Sequence, residues 1–169
     1  MKQNVIGITG WKNAGKTTLV EKLVTYFAGV GLKVATVKHA HHEFDIDHEG
    51  TDSFRHRKAG AREVAIVSAR RWALMHELEG EGEPPLAMVL ARLSPCDLVI
   101  VEGYKREGHA KIEVRRSPFG PELSPDDPSI IAIASSAPGS GGGLPLFSLD
   151  DAQAIASFIL QRFDLKSDP

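Results

Sequence analysis

Residues 10–17, with the sequence GWKNAGKT, have the spacing of glycine, lysine and hydroxyl side chains that binds the phosphates of a nucleoside triphosphate. The glycines let successive backbone N–H groups turn toward an anion, and a helix beginning near Lys16 adds the partial positive charge of its N-terminus. Lys16 is expected to neutralise the outer phosphates, and the hydroxyl of Thr17 to ligate Mg²⁺. The alternative is a turn whose glycines have only a steric role. The predicted nucleotide-binding residues are Gly10, Trp11, Lys12, Asn13, Ala14, Gly15, Lys16, Thr17 and Thr18.

A magnesium ion at a phosphate loop also needs a carboxylate at the end of a neighbouring strand. The apolar segment 97–103, DLVIVEG, offers Asp97 at its start and Glu102 at its end. Because ligands of such sheets bind outside the carboxyl ends of the strands, Glu102 is the predicted metal-side residue together with Thr17. A purely structural ion pair is the alternative role for Glu102.

A histidine-rich segment, KHAHHEFDIDH, occupies residues 38–48. Imidazoles and carboxylates are zinc ligands, so a zinc site is one interpretation, but no cysteine lies near. The position after a strand favours a polar switch loop over the γ-phosphate. There Asp45 or Asp47 could order the magnesium waters or the attacking water.

Hydrophobic periodicity predicts the elements that position these residues. Short apolar runs alternate with helical patterns, which indicates an α/β fold of the P-loop NTPase type. We expect a mostly parallel central sheet with helices on both faces, an added β-hairpin, and the loops after Thr9, Lys38 and Val101 meeting at one edge. The predicted strands are 5–9, 33–38, 64–68, 71–77, 97–102, 111–115, 130–134 and 146–148, and the predicted helices are 16–28, 52–61, 84–93 and 150–162.

The length and composition of the chain are typical of a single globular domain. The chain has 169 residues, of which 42% are hydrophobic and 25% charged, which predicts a single nucleotide-binding domain over residues 1–169. The formal charge of -2 gives no electrostatic case for binding nucleic acid or a membrane. Cys96 is the only cysteine, and the start of the chain has no long apolar run, so we expect a cytoplasmic location.

Five strings in order resemble the MobB family of molybdopterin-guanine dinucleotide biosynthesis adapter proteins: GWKNAGKTTL, VKHAHHEFDID, GTDSFRHRKAGA, RRWAL and DLVIVEGYK. The resemblance implies a protein that binds GTP and Mg²⁺, hydrolyses GTP weakly, and assists the attachment of GMP to molybdopterin. It also implies a homodimer and association with the molybdopterin guanylyltransferase, while contact with molybdopterin itself is left open. It favours Asp47 over Asp45, so Lys16 and Asp47 are the predicted catalytic residues.

The sequence departs from related P-loop proteins in two places. Many relatives with a Glu-Gly strand end carry lysine directly after the first loop glycine, where this chain has Trp11. A lysine reaching across a dimer is therefore not expected. No Asn-Lys-x-Asp guanine-reading motif is present, so a preference for GTP over ATP rests on the resemblance alone. By position, Ser135 and Ser136 are the expected neighbours of the base.

Without the family resemblance, the residues are also compatible with two other functions. A small metabolite kinase using ATP would need an arginine-rich lid, and Arg55, Arg57 and Arg62 could provide one. A binding module with a structural nucleotide is favoured if Trp72 lies on an exposed sheet edge rather than in the core. No arginine finger or water-positioning glutamine is identifiable near the phosphate loop, so for the adapter we expect at most slow magnesium-dependent hydrolysis of GTP.

Overall fold

The computed structural model describes residues 3–40, 44–117, 120–139 and 141–166. Contacts divide the chain into two units, which we call the sheet unit (Met1–His39 and Leu90–Pro169) and the hairpin unit (Ala40–Val89). The elements in chain order are β1 Val5–Gly10, α1 Lys16–Gly29, β2 Val34–Lys38, α2 Asp52–Lys58, β3 Glu63–Val67, β4 Trp72–His76, α3 Leu86–Leu90, β5 Leu98–Glu102, β6 Lys111–Arg115, β7 Ile130–Ser135, β8 Leu146–Ser148 and α4 Ala152–Phe163.

Six strands in the order β2-β5-β1-β6-β7-β8 form the sheet of the sheet unit, and every neighbouring pair is parallel. The register pairs Ile8 with Glu102, Lys38 with Glu102, and Gly10 with Val114. The carboxyl ends of β1, β2 and β5 therefore lie at one edge, as predicted. The predicted mostly parallel sheet with helices and an added hairpin is confirmed, whereas the single-domain assignment over 1–169 stays a prediction.

The main core lies between the sheet and the pair α1 and α4. Apolar residues at helical spacing on both helices pack on alternate residues of the strands, since side chains of a strand alternate between its faces. Removing each such side chain from water stabilises the fold by about 1.5–3 kcal/mol. Fully buried members include Ile6, Ile8, Leu23, Phe27, Ile100, Ile112, Ile155 and Ile159.

Two charged residues of β6 are buried on the opposite face, with only 1% of Lys111 and of Glu113 exposed. Lys111 pairs with Asp127 at 3.1 Å. Glu113 accepts hydrogen bonds from the backbone N–H groups of Leu123 and Ser124, at 2.7 and 3.1 Å. These bonds satisfy the buried charges and attach the segment 120–129 to β6. The segment therefore covers β6 on the face of the sheet opposite to α1 and α4.

The hairpin unit contains α2 and the antiparallel pair β3 and β4. Helix α2 begins after Thr51, whose hydroxyl accepts from the N–H of Phe54 at 3.4 Å, and it ends at Lys58 rather than at residue 61 because Gly60 takes a φ of 102°. The predicted helix 84–93 is also shorter, Leu86–Leu90. Among the described residues, no helix has the length and apolarity needed to cross a bilayer.

Candidate nucleotide-binding site

The phosphate loop connects β1 to α1 through backbone conformations that require glycine at two positions. A side chain at Gly10 would collide with the Val114 carbonyl oxygen, which lies 2.4 Å from the Cβ position, so glycine is required where β1 meets β6. Gly15, the N-cap of α1, has a φ of 100°, and no side chain caps the helix. The first backbone N–H groups of α1 thus remain available to an anion.

Lys16 lies along the loop with its Nζ donating to the Trp11 carbonyl oxygen at 2.7 Å. Burial lowers the pKa of Lys16, and the positive charges of Lys105 and Lys38 lower it further, while Glu102 opposes the shift. A cation held among other cations gains most from an incoming anion. This is the environment expected of a phosphate-binding lysine.

Thr17 and Glu102 are brought together, as the sequence predicted. The hydroxyl of Thr17 donates to the Glu102 carboxylate, with its Oγ1 3.0 Å from Oε1 and 3.2 Å from Oε2. Lys38 Nζ lies 3.8 Å from Oε1 of Glu102. Asp97, the rejected alternative, lies at the other end of β5 and accepts from the N–H of Lys33 at 2.7 Å. Two oxygen-bearing side chains therefore converge where a hard cation beside the phosphates would bind.

Trp11 joins the loop to two other segments of the sheet unit. Its indole Nε1 donates to the Pro121 carbonyl oxygen at 2.7 Å. The ring lies against Gly120, where a Cβ would come within 2.5 Å of it. The Nζ of Lys105 lies over the Trp11 ring, 5.0 Å from its centroid, which is within the range of a cation–π contact. The indole position is therefore fixed from two sides.

Arg116 also lies at the phosphate loop, a position that nothing in the sequence predicted. Its Nη2 lies 3.5 Å from the Cβ position of Gly15, at the start of α1. No carboxylate within the described ranges pairs with Arg116, whereas its neighbour Arg115 pairs with Glu113 at 2.9 Å and Glu122 at 2.8 Å. Among the residues described, Arg116 is thus a cation at the loop with no carboxylate paired to it.

A cavity of about 260 Å³ lies beside the loop. Trp11, Arg116 and Ser135 line it, so one of the two serines predicted beside the base lines a cavity next to the loop. The backbone N–H of Ser136 donates to the Arg115 carbonyl oxygen at 3.0 Å. Contact of either serine with a base stays a prediction.

Asp47, the second predicted catalytic residue, lies in the hairpin unit with 5% of its surface exposed. Its Oδ1 is 2.6 Å from Nη2 of Arg57, and Asp45 Oδ1 is 2.9 Å from the same nitrogen. The hydrogen bond from Arg57 holds the pKa of Asp47 below its usual value. The structure thus gives Asp47 an ion-pairing role within its unit, and its catalytic role stays a prediction.

The histidine segment lies partly outside the described residues, which exclude His41 and His42. His39 packs against the Tyr104 ring with centroids 4.6 Å apart. In the part of the chain that the structure describes, no group of three metal-ligating side chains is found. The zinc alternative therefore has no support from these residues.

A family profile and known proteins of similar sequence all point to one family. Residues 5–136 match the profile of molybdopterin guanine dinucleotide synthesis protein B, MobB. The chain is 37% identical over 161 residues to the molybdopterin-guanine dinucleotide biosynthesis adapter protein of Escherichia coli (strain K12), covering 93% of this chain and 91% of the relative. The protein of the same name from Haemophilus influenzae is 36% identical over 137 residues, or 79% of this chain and 75% of the relative.

Solved structures show the same fold. A crystal structure of molybdopterin-guanine biosynthesis protein B (mobB) superposes with a TM-score of 0.74 at 28% identity, covering 94% of this chain and 99% of the other. A MobB protein homolog from Bacillus stearothermophilus gives a TM-score of 0.70 at 27% identity, covering 97% and 100%. With a family profile over most of its length and relatives above one third identity, the chain belongs to the MobB family.

Proposed function

We propose that this chain binds GTP with Mg²⁺ at the phosphate loop and acts as an adapter in the attachment of GMP to molybdopterin. In this proposal it hydrolyses GTP slowly at most, forms a homodimer, and associates with the molybdopterin guanylyltransferase. Family membership supports the pathway, and the geometry of the site supports the nucleotide.

The observation that carries the nucleotide site is the hydrogen-bonded pair of Thr17 and Glu102 at the start of α1. Thr17 and Glu102 would hold the magnesium ion, whose role when bound is to neutralise phosphate charge. Lys16 and the free N–H groups of α1 would hold the phosphates. Arg116 adds a positive charge at the Gly15 side of the loop.

The kinase alternative gains no support from the arginines that would form its lid. Arg57 is held by Asp47 and Asp45, and Arg62 by Glu81. Arg55 has only a distant, exposed contact with Asp52, at 3.9 Å. A lid arginine must leave its resting partners to close on phosphates, and the carboxylate contacts of Arg57 at 2.6 and 2.9 Å oppose this. The adapter function is therefore the better supported of the two.

An exposed apolar face on the hairpin supports the homodimer. Val67 and Trp72 are cross-strand partners, as are Ala65 and Leu74, so these four side chains share one face. Val67 is 74% exposed, Trp72 69% and Leu74 47%. This exposure excludes the core position considered for Trp72 and meets the condition under which a binding module with a structural nucleotide was favoured, so the face supports protein association in either function. Contiguous apolar residues on a surface mark sites of protein association.

Calorimetric titration with GTP and with ATP, each with and without Mg²⁺, tests the nucleotide site. We expect binding that prefers GTP, strengthens with Mg²⁺ and disappears in Lys16→Ala. Lys22→Ala is the matched control, because Lys22 is an exposed lysine further along the same helix. Equal affinity in wild type and Lys16→Ala would refute the phosphate-loop assignment, and a preference for ATP would favour the kinase.

The adapter role needs a separate measurement. Purified chain and molybdopterin guanylyltransferase should form a complex in analytical ultracentrifugation, and the chain should raise the rate of guanylylation at limiting GTP. Lys16→Ala should lose the rate effect. A guanylyltransferase that neither binds the chain nor responds to it would contradict the adapter proposal while leaving the nucleotide site intact.

A further inference from the structure

Three lysines, Lys16, Lys38 and Lys105, lie at the phosphate loop. Among the described residues, Glu102 is the carboxylate whose charge acts on this group. Lys38 Nζ lies 3.8 Å from Glu102, and the charges of Lys105, Glu102 and Lys38 all act on Lys16. Within the described ranges, no carboxylate forms an ion pair with Lys105. Two positive charges of this group are therefore unmatched, which favours a ligand with at least two negative charges.

Lys105 owes its place at this cluster to the turn that follows β5. Gly103 and Tyr104 both have positive φ, 101° and 47°, so the chain reverses sharply after Glu102. The Tyr104 ring packs on His39 with centroids 4.6 Å apart, and the Glu107 N–H donates to the Tyr104 carbonyl oxygen at 3.1 Å. A fixed turn thus places the Lys105 side chain over the phosphate loop.

The Trp11 ring holds the ammonium group of Lys105 in a weak contact. Its Nζ lies 5.0 Å from the ring centroid, a cation–π contact that is weaker at partly exposed sites than a charge-assisted hydrogen bond to a phosphate oxygen. Trp11 itself is fixed by its bond to the Pro121 carbonyl oxygen. Lys105 can therefore leave the ring for a phosphate while the indole remains in place.

The end of the loop near Trp11 corresponds to the outermost phosphate. In a phosphate loop the backbone N–H groups hold the inner phosphates and the lysine reaches toward the outer ones. Here Gly15 and α1 lie at the inner end, and Lys16 extends back to the Trp11 carbonyl oxygen. Lys105 lies over that same residue, so the group nearest to it would be the γ-phosphate.

We propose that Lys105 is a γ-phosphate-binding residue that rests on the Trp11 ring without nucleotide and moves to the terminal phosphate of a bound nucleoside triphosphate. The inference rests on the proposed nucleotide site and deepens it, because it makes Lys105 the residue that distinguishes triphosphate from diphosphate. Trp11 is then the side chain that Lys105 contacts in the absence of nucleotide.

The test uses Trp72→Phe as the parent protein, which leaves Trp11 as the only tryptophan, since the chain has two. Affinity for GDP and for the non-hydrolysable analogue guanosine 5′-(β,γ-imido)triphosphate is measured with Mg²⁺ in the parent, Lys105→Met and Lys105→Arg. Arg106→Met is the control, because Arg106 is the adjacent exposed cation. Thermal unfolding checks that each variant is folded.

Lys105→Met should lose about tenfold or more in affinity for the triphosphate analogue, which is typical of a lost charged hydrogen bond, and keep its affinity for GDP. Lys105→Arg should retain most of the triphosphate affinity, and Arg106→Met should match the parent. The Trp11 fluorescence of the parent should change more on adding the triphosphate analogue than on adding GDP, and this difference should vanish in Lys105→Met.

The outcomes separate this inference from the nucleotide site itself. Equal losses for GDP and the triphosphate analogue in Lys105→Met, or no loss for either, would overturn the role of Lys105 while leaving the site in place. Identical Trp11 fluorescence changes with the two nucleotides would do the same without any variant at Lys105. Binding of neither nucleotide by the wild-type protein would overturn the proposed site and this inference together, and the Trp72→Phe parent must bind both nucleotides as the wild type does.

Discussion

Protonation of His109 should destabilise the folded protein in mildly acidic solution. Its imidazole packs on Gly7 of β1, and among the described residues neither ring nitrogen has a hydrogen-bond partner. Burial, and after it the positive charge of Lys111, lower the pKa of His109 to about 4, against the opposing charges of Glu107 and Asp127. The histidine is therefore held neutral against β1, in the same connection between β5 and β6 that carries Lys105.

The size of the effect follows from the two pKa values. The ordinary value is 6.5 and the folded value about 4, so the unfolded chain binds more protons between them and stability falls as the pH drops through this window. The complete shift corresponds to about 3 kcal/mol, at about 1.4 kcal/mol per pKa unit. Because the side chain is partly exposed, solvent screening reduces this, and we expect a loss of about 1 kcal/mol at pH 5 relative to pH 7.5.

Urea unfolding of wild type and His109→Leu at pH 7.5 and pH 5 measures this contribution. The wild type should lose about 1 kcal/mol more than the variant between the two pH values. His56→Leu is the control, because His56 is an exposed histidine on α2 and its substitution replaces the same side chain without removing a buried one. If His109→Leu shows the same pH dependence as wild type, the buried neutral imidazole is not the cause and the reasoning fails.

Three further changes test other parts of the molecule. Glu102→Gln should weaken GTP binding in the presence of Mg²⁺ more than in its absence, because the amide is a poorer magnesium ligand; equal calorimetric losses would contradict a metal role. Arg116→Gln should weaken GTP and GDP binding alike, by about tenfold, since its guanidinium lies at the inner end of the loop. A loss confined to GTP would place Arg116 elsewhere. Asp47→Asn should lower the thermal midpoint at neutral pH by leaving Arg57 beside a neutral amide. Since the pKa of Asp47 is lowered, this difference should persist until the pH falls through that lowered value, and an unchanged midpoint would show that the ion pair is dispensable.

The strands and the phosphate loop could be predicted because their signals are local. Runs such as Leu98–Glu102 are short, apolar and β-branched, and each ends at glycine or a polar residue. The pairing of Thr17 with Glu102 followed from one rule, that parallel strands present their carboxyl ends at the same edge. Helix ends were less predictable, since a positive φ at Gly60 ended α2 three residues early.

The remaining site residues could not be predicted because their contacts are distant in sequence. Trp11 meets Pro121, 110 positions away, and neither residue type signals the other. The buried charges Lys111 and Glu113 follow the pattern of an ordinary strand, and their partners lie in a proline-rich loop without periodicity. Only the folded structure shows that Lys105 and Arg116 lie at the loop of residues 10–17.

The strand order has a consequence for folding during synthesis. β5 lies between β1 and β2, and it pairs Val99 with Val5 and Leu98 with Val34. The first strand–helix–strand unit therefore leaves the ribosome without a partner for either strand, and the hairpin unit emerges before the sheet can close. Long-range pairing of this kind slows folding because loop closure precedes the contacts that reward it. A nascent chain arrested before β5 should be protease-sensitive in its first 38 residues, and one arrested beyond β6 should protect them.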